Sequence, residues 1–270
     1  MSCENCFKGS RLPGEPKGSL VDGAYFHAAA APTVEGEPKR AIVLLTDIYG
    51  LPLTNSKIMA DQLSEKVGVD VWVPDLFDGR PPVKQEQLAP LLPDRAGASR
   101  GIMSYVRLFF LFITHMFALY RTRPAIGEAR ARAFIEKLRT EKRYTRIGAV
   151  GYCYGGSIGV GLGRSPELVN SLVIAHPGSI KLDDVKLMRV PTSWACAEED
   201  FSFKPHLRNG AEAIFKEREG KEDFVPYEFK DWKGCAHGFA IRPNQSVPEV
   251  KAGYEGALVQ TVDWFKKSLF

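Results

Sequence analysis

Gly151-Tyr152-Cys153-Tyr154-Gly155 sets a single thiol between two glycines, directly after a short apolar run. This is the G-x-C-x-G form of a nucleophile elbow, with sulfur where serine is more usual. A strand entering that turn and a helix leaving it would project the thiol from a strained apex above a helix N-terminus, whose field favours a thiolate. Such a nucleophile needs a base, a group that orients the base, and donors for an oxyanion. Two later segments carry candidates: Glu198-Glu199-Asp200 closes one apolar run, and Gly234-Cys235-Ala236-His237-Gly238 follows another. The expected roles are attack by Cys153, proton transfer by His237, and fixing of the imidazole tautomer by Asp200. The expected oxyanion donors are the amide of Tyr154, next to the nucleophile, and that of Ile48, in the loop after the first core strand. One such donor is typically worth roughly 3–4 kcal/mol.

Other residues of the same types compete. Glu198 and Glu199 are alternatives to Asp200, and all three acids would also serve as solvated loop charges. His27 and His115 read as packed or paired, His206 as the start of an exposed helix, and His176 as a residue that lines a crevice without catalysing. Cys196 lies within a strand and reads as core; Cys235 lies near His237 but lacks an elbow. Cys3-x-x-Cys6 has no second ligand pair at zinc-finger spacing, so it is read as incidental and no metal is expected.

These groups need a frame. Residues 41–45 form a continuous apolar run suited to a strand buried on both faces. An amphipathic helix fits 55–67, with Gly68 as its stop, and 69–73 reads as the next strand. This strand–helix–strand order implies a parallel sheet. An early strand is expected within 20–31. A second helix is expected over 126–138, with Ile126, Ala129, Ala133, Phe134 and Leu138 inward. Further strands are expected before Cys153, at 172–175, 191–197 and 224–230, with helices over 205–216 and 249–269. The last carries Val250, Tyr254, Leu258, Val262, Phe265 and Leu269 on one stripe. Glycines at 155, 156, 159, 161 and 163 would weaken the helix after the elbow by roughly 1 kcal/mol each, which makes sense if it lies close against the sheet. The carboxyl ends of the strands should build the crevice, as in doubly wound sheets. The expected organisation is a surface arm at 1–18, then one α/β domain over 19–270, a mostly parallel sheet with helices on both faces and a lid-like excursion at about 78–124.

Composition bounds the rest. The chain has 270 residues, 44% apolar and 25% charged, ordinary for a globular protein. The net charge of +4 is modest and the basic residues are not gathered in one tract, which argues against nucleic-acid binding. The N-terminus has no apolar h-region, and five cysteines at low density point to reduced thiols, so a cytoplasmic location is expected. The most apolar stretch, 105–120, spans 16 residues and contains Arg107 and His115. That is too short and interrupted to cross a bilayer. A buried or lid-like helix is expected there, and membrane contact is not.

With these residues assembled, the chain resembles the dienelactone hydrolase family of α/β-hydrolases over about residues 19–269. The resemblance rests on Gly-Tyr-Cys-Tyr-Gly-Gly around Cys153, Glu-Glu-Asp-Phe around Asp200 and Ala-His-Gly-Phe around His237. It also rests on Thr46-Asp47-Ile48-Tyr49-Gly50 and Val73-Pro74-Asp75-Leu76-Phe77. The order nucleophile, acid, histidine is that of the superfamily. The resemblance implies a lactone- or ester-opening enzyme that works through a cysteine acyl-enzyme without a cofactor. In better-known members a glutamate after the first core strand contacts the nucleophile; Asp47, one methylene shorter, stands there and is expected to activate or orient the thiol. The family also binds a substrate carboxylate through an arginine just after the histidine, for which Arg242 is the candidate, five residues past His237. Tyr49 and Tyr152 are the other expected substrate contacts. The partner expected is a small ester or lactone, and the protein a monomer or homodimer. The reading from another class is a redox-responsive or ligand-binding protein on the same fold, with Cys153 as an oxidisable sensor and Cys3 or Cys6 as its partner.

Overall fold

Apolar runs without alternation become strands buried on both faces. A computed structural model describes residues 10–31 and 36–270. Its strands are β1 (Ser19–Val21), β2 (Ala24–His27), β3 (Arg40–Leu45), β4 (Asp70–Val73), β5 (Arg146–Tyr152), β6 (Ser171–Ala175), β7 (Thr192–Glu199) and β8 (Tyr227–Ala236). They form one sheet in the order β1-β2-β4-β3-β5-β6-β7-β8. The pairings from β4 through β8 are parallel, and the β1–β2 hairpin adds antiparallel to β4. The early strand expected over 20–31 is therefore two strands, folded back at Asp22 and Gly23. Both have positive φ, 51° and 80°, the backbone of a tight hairpin turn.

The helices are α1 (Thr54–Val67), α2 (Gln85–Leu88), α3 (Ile102–Arg121), α4 (Pro124–Thr140), α5 (Tyr154–Leu162), α6 (Leu182–Lys186), α7 (Pro205–Lys216) and α8 (Pro248–Ser268). They cover both faces of the sheet. Side-chain alternation sends Ile42, Leu44 and Val150 into one core with Met59 and Leu63 of α1 and Val250, Val262 and Phe265 of α8. It sends Val43, Leu45 and Ala149 into a second core with Ile135 of α4, Ile158 of α5 and Phe215 of α7. All six residues of the stripe expected on the last helix are buried.

Several expectations need correction. The buried stripe of α4 is Gly127, Ala131, Ile135 and Leu138, so of the inward set only Leu138 is fully buried, while Ala129 and Ala133 are exposed. α3 is 20 residues long rather than 16, and none of its residues is buried. By length and composition alone it could cross a bilayer. The N-terminal arm, where described, is fastened down. Leu12 is buried in the core, its amide donates to Asn55 Oδ1 (3.1 Å), and the Lys17 amide donates to Asp61 Oδ2 (2.7 Å). Cys3 and Cys6 lie outside the described residues.

Candidate active site

The elbow forms because glycine is needed on three sides of it. Cys153 has φ 53° and ψ −108°, between the end of β5 and the start of α5. A Cβ on Gly151 would come within 2.1 Å of the Gly155 carbonyl oxygen, and one on Gly155 within 2.1 Å of the Leu45 carbonyl oxygen. A Cβ on Gly156 would press on Pro177. Helix α5 therefore packs backbone against backbone on β3, as its glycines implied. Hydrogen bonds hold the strained turn: the amides of Ser157 and Gly178 both donate to the Cys153 carbonyl (3.1 and 2.8 Å), and Gly155 N–H donates to the Thr46 carbonyl (3.0 Å). A residue in this sparsely populated backbone region stores strain that only such over-determination maintains.

Strand ends bring the other two groups to the thiol. A register shift between Ala197 and Glu199 where β7 meets β8 turns the chain just before Asp200. His237 follows β8 directly. His237 Nε2 lies 3.0 Å from Cys153 Sγ, and its Nδ1 lies 2.9 Å from both Asp200 oxygens. Both side chains of this ion pair are almost wholly buried. Asp200 Oδ1 also accepts from the amides of Ser202 and Phe203, at 2.7 and 2.9 Å. Burial works against its ionised form. The His237 charge and hydrogen bond, with the two amides, outweigh it and hold the carboxyl below its ordinary value. Burial likewise opposes an imidazolium at His237, but Cys153 and Asp200 on its two sides raise its pKa to about 10.

The competing acids are spent elsewhere. Glu198 Oε2 accepts the Gly234 amide (2.6 Å) and Glu199 Oε2 the Gly97 amide (2.8 Å), which ties the excursion to the rim of the site. Cys196 and Cys235 are buried thiols, both pushed up chiefly by desolvation, Cys235 to about 12. His27 pairs loosely with Asp61 at 3.9 Å, and His115 bonds the Leu111 carbonyl on its own helix. Among the described residues no cluster of His, Cys, Asp and Glu is arranged to hold a metal ion.

Tyr154 follows the thiol at the first turn of α5, and Ile48 lies in the loop after β3. Among the described residues, neither amide is taken up by a turn or side-chain acceptor. The loop carrying Ile48 is shaped by its neighbour: Asp47 Oδ1 accepts the Tyr49 amide (3.0 Å) and the Asp47 carbonyl accepts the Gly50 amide (3.1 Å). Asp47 is fully buried, and its Oδ2 accepts from Arg242 Nε at 2.8 Å. The carboxylate expected to activate or orient the thiol is thus bound to an arginine and a backbone amide. Burial raises the Asp47 pKa, and Arg242 is the largest opposing influence.

Arg242 also lies over the Tyr49 ring, 4.9 Å from its centre. Tyr49 is buried, and burial, with Asp47 and Cys153 nearby, raises its hydroxyl. Tyr152 does not meet the cleft. Alternation along β5 turns its side chain into the core, where its hydroxyl has no partner, and this corrects its expected role as a substrate contact. His176, expected to line the crevice, is instead fully buried and is one of two rings packed on His237. His176 packs edge-on at 5.2 Å, with Phe239 behind it, and Phe201 lies 4.5 Å from the His237 ring. Phe201 had a signal, since it is the last residue of the Glu-Glu-Asp-Phe segment; the pairing of His176 with His237 had none.

A cleft of about 330 Å³ opens beside His237 and Asp200, lined by Pro93, Glu198, Glu199, Phe201 and Pro205. A larger groove of about 560 Å³ lies at the opposite ends of β3 and β4, around Arg40 and Asp70, far from the thiol. The cleft is lined by Asp200 and His237, and the groove by neither of them nor by Cys153.

The model of the dienelactone hydrolase family matches residues 26–269. The chain belongs to the dienelactone hydrolase family. Among its relatives is the hydrolase pyvD of Aspergillus violaceofuscus, 29% identical over 98% of this chain and 96% of the relative. A carboxymethylenebutenolidase homolog of Mus musculus is 25% identical over 84% of this chain and 82% of its own length. The crystal structure of a dienelactone hydrolase from Anabaena variabilis superposes with a TM-score of 0.60 at 11% identity, covering 95% of this chain and all of that one. The fold is the α/β-hydrolase fold of dienelactone hydrolases, and the protein is a hydrolase of that family, which implies a small-molecule substrate.

Proposed function

We propose that this dienelactone hydrolase family member cleaves a small ester or opens a lactone through an acyl-enzyme on Cys153. The observation that carries the reading is the continuous path from Asp200 to His237 Nδ1 at 2.9 Å and from His237 Nε2 to Cys153 Sγ at 3.0 Å, ending at a strained elbow. With the proton held on His237, the thiolate attacks the substrate carbonyl. The new oxyanion rests on the amides of Tyr154 and Ile48, which point at charge that develops only in the transition state. The C–O bond then breaks, and the leaving oxygen takes the proton from Nε2, which leaves the imidazole neutral for the next step. An enol-type leaving group needs little such help, so a weakly basic sulfur nucleophile suffices. Water next attacks the thioester while Nε2 accepts its proton, and the carboxylic acid departs as thiolate and imidazolium form again. Asp200 holds the imidazole by Nδ1 throughout.

Asp47 has a positioning role in this scheme. Its carboxylate, fixed by Arg242, fixes the turn that presents the Ile48 amide. Arg242, buried against Asp47 and the Tyr49 ring, acts in this scheme by holding that loop rather than by meeting the substrate directly.

The test is mass spectrometry of the intact protein after brief exposure to a panel of activated aryl esters and small lactones. An acyl mass on the parent protein, absent from Cys153→Ala, is the expected result. Cys153→Ala abolishes turnover and Cys153→Ser leaves little. Parent-rate hydrolysis by Cys153→Ala would overturn the mechanism. A disulfide or sulfenate on Cys153 with no acyl adduct from any ester would favour the sensor reading.

A further inference from the structure

Helix α3 carries its apolar side outward. Ile102, Tyr105, Val106, Phe109, Phe110, Phe112, Ile113, Met116, Phe117 and Tyr120 are all exposed, Phe109 at 61% and Phe117 at 72%. At 100° per residue they share one broad face. The narrower opposite face, with Leu108, Leu111, His115 and Leu119, rests on the domain near Ile48, Val83 and Leu88. A contiguous exposed apolar surface of this kind marks a binding site.

Charge decides what binds. Arg95 pairs with Asp94 and Arg100 binds the Leu92 carbonyl, but from residue 101 to 127 the chain has Arg107, Arg121 and Arg123 and no aspartate, glutamate or lysine. Arg107 and Arg121 lie along one edge of the apolar face, each about two turns from Thr114. Arg121 lies over the Phe117 ring at 5.8 Å and Arg123 over the Tyr120 ring at 4.6 Å. Aromatic side chains rimmed by arginine, with no acid among them, suit the headgroup level of an anionic bilayer. A second copy would set the same basic rim against itself, because a two-fold interface is self-facing. We propose that α3 docks the protein on an anionic lipid surface, with the helix lying in the plane of the headgroups.

The anchoring of the helix excludes a span. Its leading segment is tied down by Gly97 N–H to Glu199 and by Ala96 N–H to the Gly234 carbonyl. At its other end the Arg123 carbonyl accepts from the Tyr154 hydroxyl at 3.5 Å, and α4 follows at once, with Gly127 against Tyr154 and Ile158. Both ends are fastened to the same domain, so the helix can lie on a bilayer but not cross it without tearing α4 from the core. The two anchor points, Glu199 at the end of β7 and Tyr154 at the start of α5, flank the candidate site, so docking brings that side of the domain toward the lipid.

The test is flotation of the purified full-length protein with vesicles of phosphatidylcholine, with and without phosphatidylserine. The expected result is binding to the phosphatidylserine vesicles that weakens with salt. Phe109→Ser/Phe117→Ser should lower vesicle affinity at least tenfold. Arg107→Gln/Arg121→Gln should lower it by roughly fivefold per arginine on anionic vesicles alone. All four side chains sit on the solvent side of the helix, and unchanged circular dichroism and thermal midpoint confirm that the variants fold. No flotation, or flotation unaffected by the phenylalanine pair, overturns the proposal. Equal binding to phosphatidylcholine alone overturns the assignment to an anionic surface. A dimer in buffer that the phenylalanine pair dissociates, with no vesicle binding, assigns the face to a second copy instead.

Discussion

Arg242 and Asp47 form a buried ion pair, 2.8 Å from Nε to Oδ2, 195 residues apart in sequence and joined behind the loop that presents Ile48. Neither charge has much water to fall back on. Removing one partner leaves the other buried and unpaired, which typically costs roughly 3–5 kcal/mol. Arg242→Ala should therefore lower the urea midpoint sharply, and Asp47→Asn/Arg242→Met should recover part of the loss. An Arg242→Ala protein as stable as the parent would mean that Asp47 takes up a proton at little cost.

Gly155 offers a second stability test with a different cause. The Cβ of an alanine there would stand 2.1 Å from the Leu45 carbonyl oxygen and 2.8 Å from the Leu45 Cβ, in the strand that leads to Ile48. Backbone cannot yield as a flexible side chain does. Gly155→Ala should cost about 3 kcal/mol or more and reduce soluble yield. Gly220→Ala is a control with open space around it, where only the positive φ of 77° opposes the change. Denaturation midpoints of the pair give the comparison.

What could be read from the sequence was what local pattern determines. Strands β3, β5 and β6 are buried on both faces, so their apolar runs have no competing reading. Cys153, Asp200 and His237 each follow a strand end, and a parallel sheet gathers such ends at one edge. Other features depend on partners far along the chain. Strand β8 was expected to stop at residue 230, because Asp231 and Lys233 hide an edge strand whose alternate side chains face solvent. The inward face of α4 was misread because its buried stripe includes Gly127 and Ala131, which carry almost no hydrophobic signal. Tyr152 was read as a substrate contact from its place beside the thiol. Strand alternation gives neighbours opposite directions, and Tyr152 faces the core.

Asp200 separates tautomer control from general acidity. Its carboxylate is bound by His237 and by the amides of Ser202 and Phe203. Asp200→Asn keeps the shape but offers His237 Nδ1 an amide in place of a carboxylate, so the imidazole loses its preferred tautomer. In the serine analogue such a change lowers kcat by about 10⁴. A loss of two orders of magnitude or more is expected here against an activated ester, with KM little changed. Glu199→Gln, whose carboxylate binds Gly97 rather than the histidine, should stay close to the parent rate.

The proton on His237 is the last and most direct test. Its pKa stands at about 10 when folded, with burial opposing the charge and Cys153 and Asp200 favouring it, against about 6.5 for an unperturbed imidazole. A folded pKa above the unfolded one means that the folded protein holds this proton more tightly. The stabilisation it confers is complete below about pH 6.5 and fades as pH rises towards about 10. Thermal midpoints measured across that window should fall with pH. In Cys153→Ala the sulfur is gone, the imidazolium loses one of its two partners, and the slope should be smaller. Ring-proton NMR of His237 should follow the same order, the parent titrating above Cys153→Ala. An equal titration in both proteins would show that the sulfur carries no charge at rest, and the first step of the mechanism would then begin with a neutral thiol.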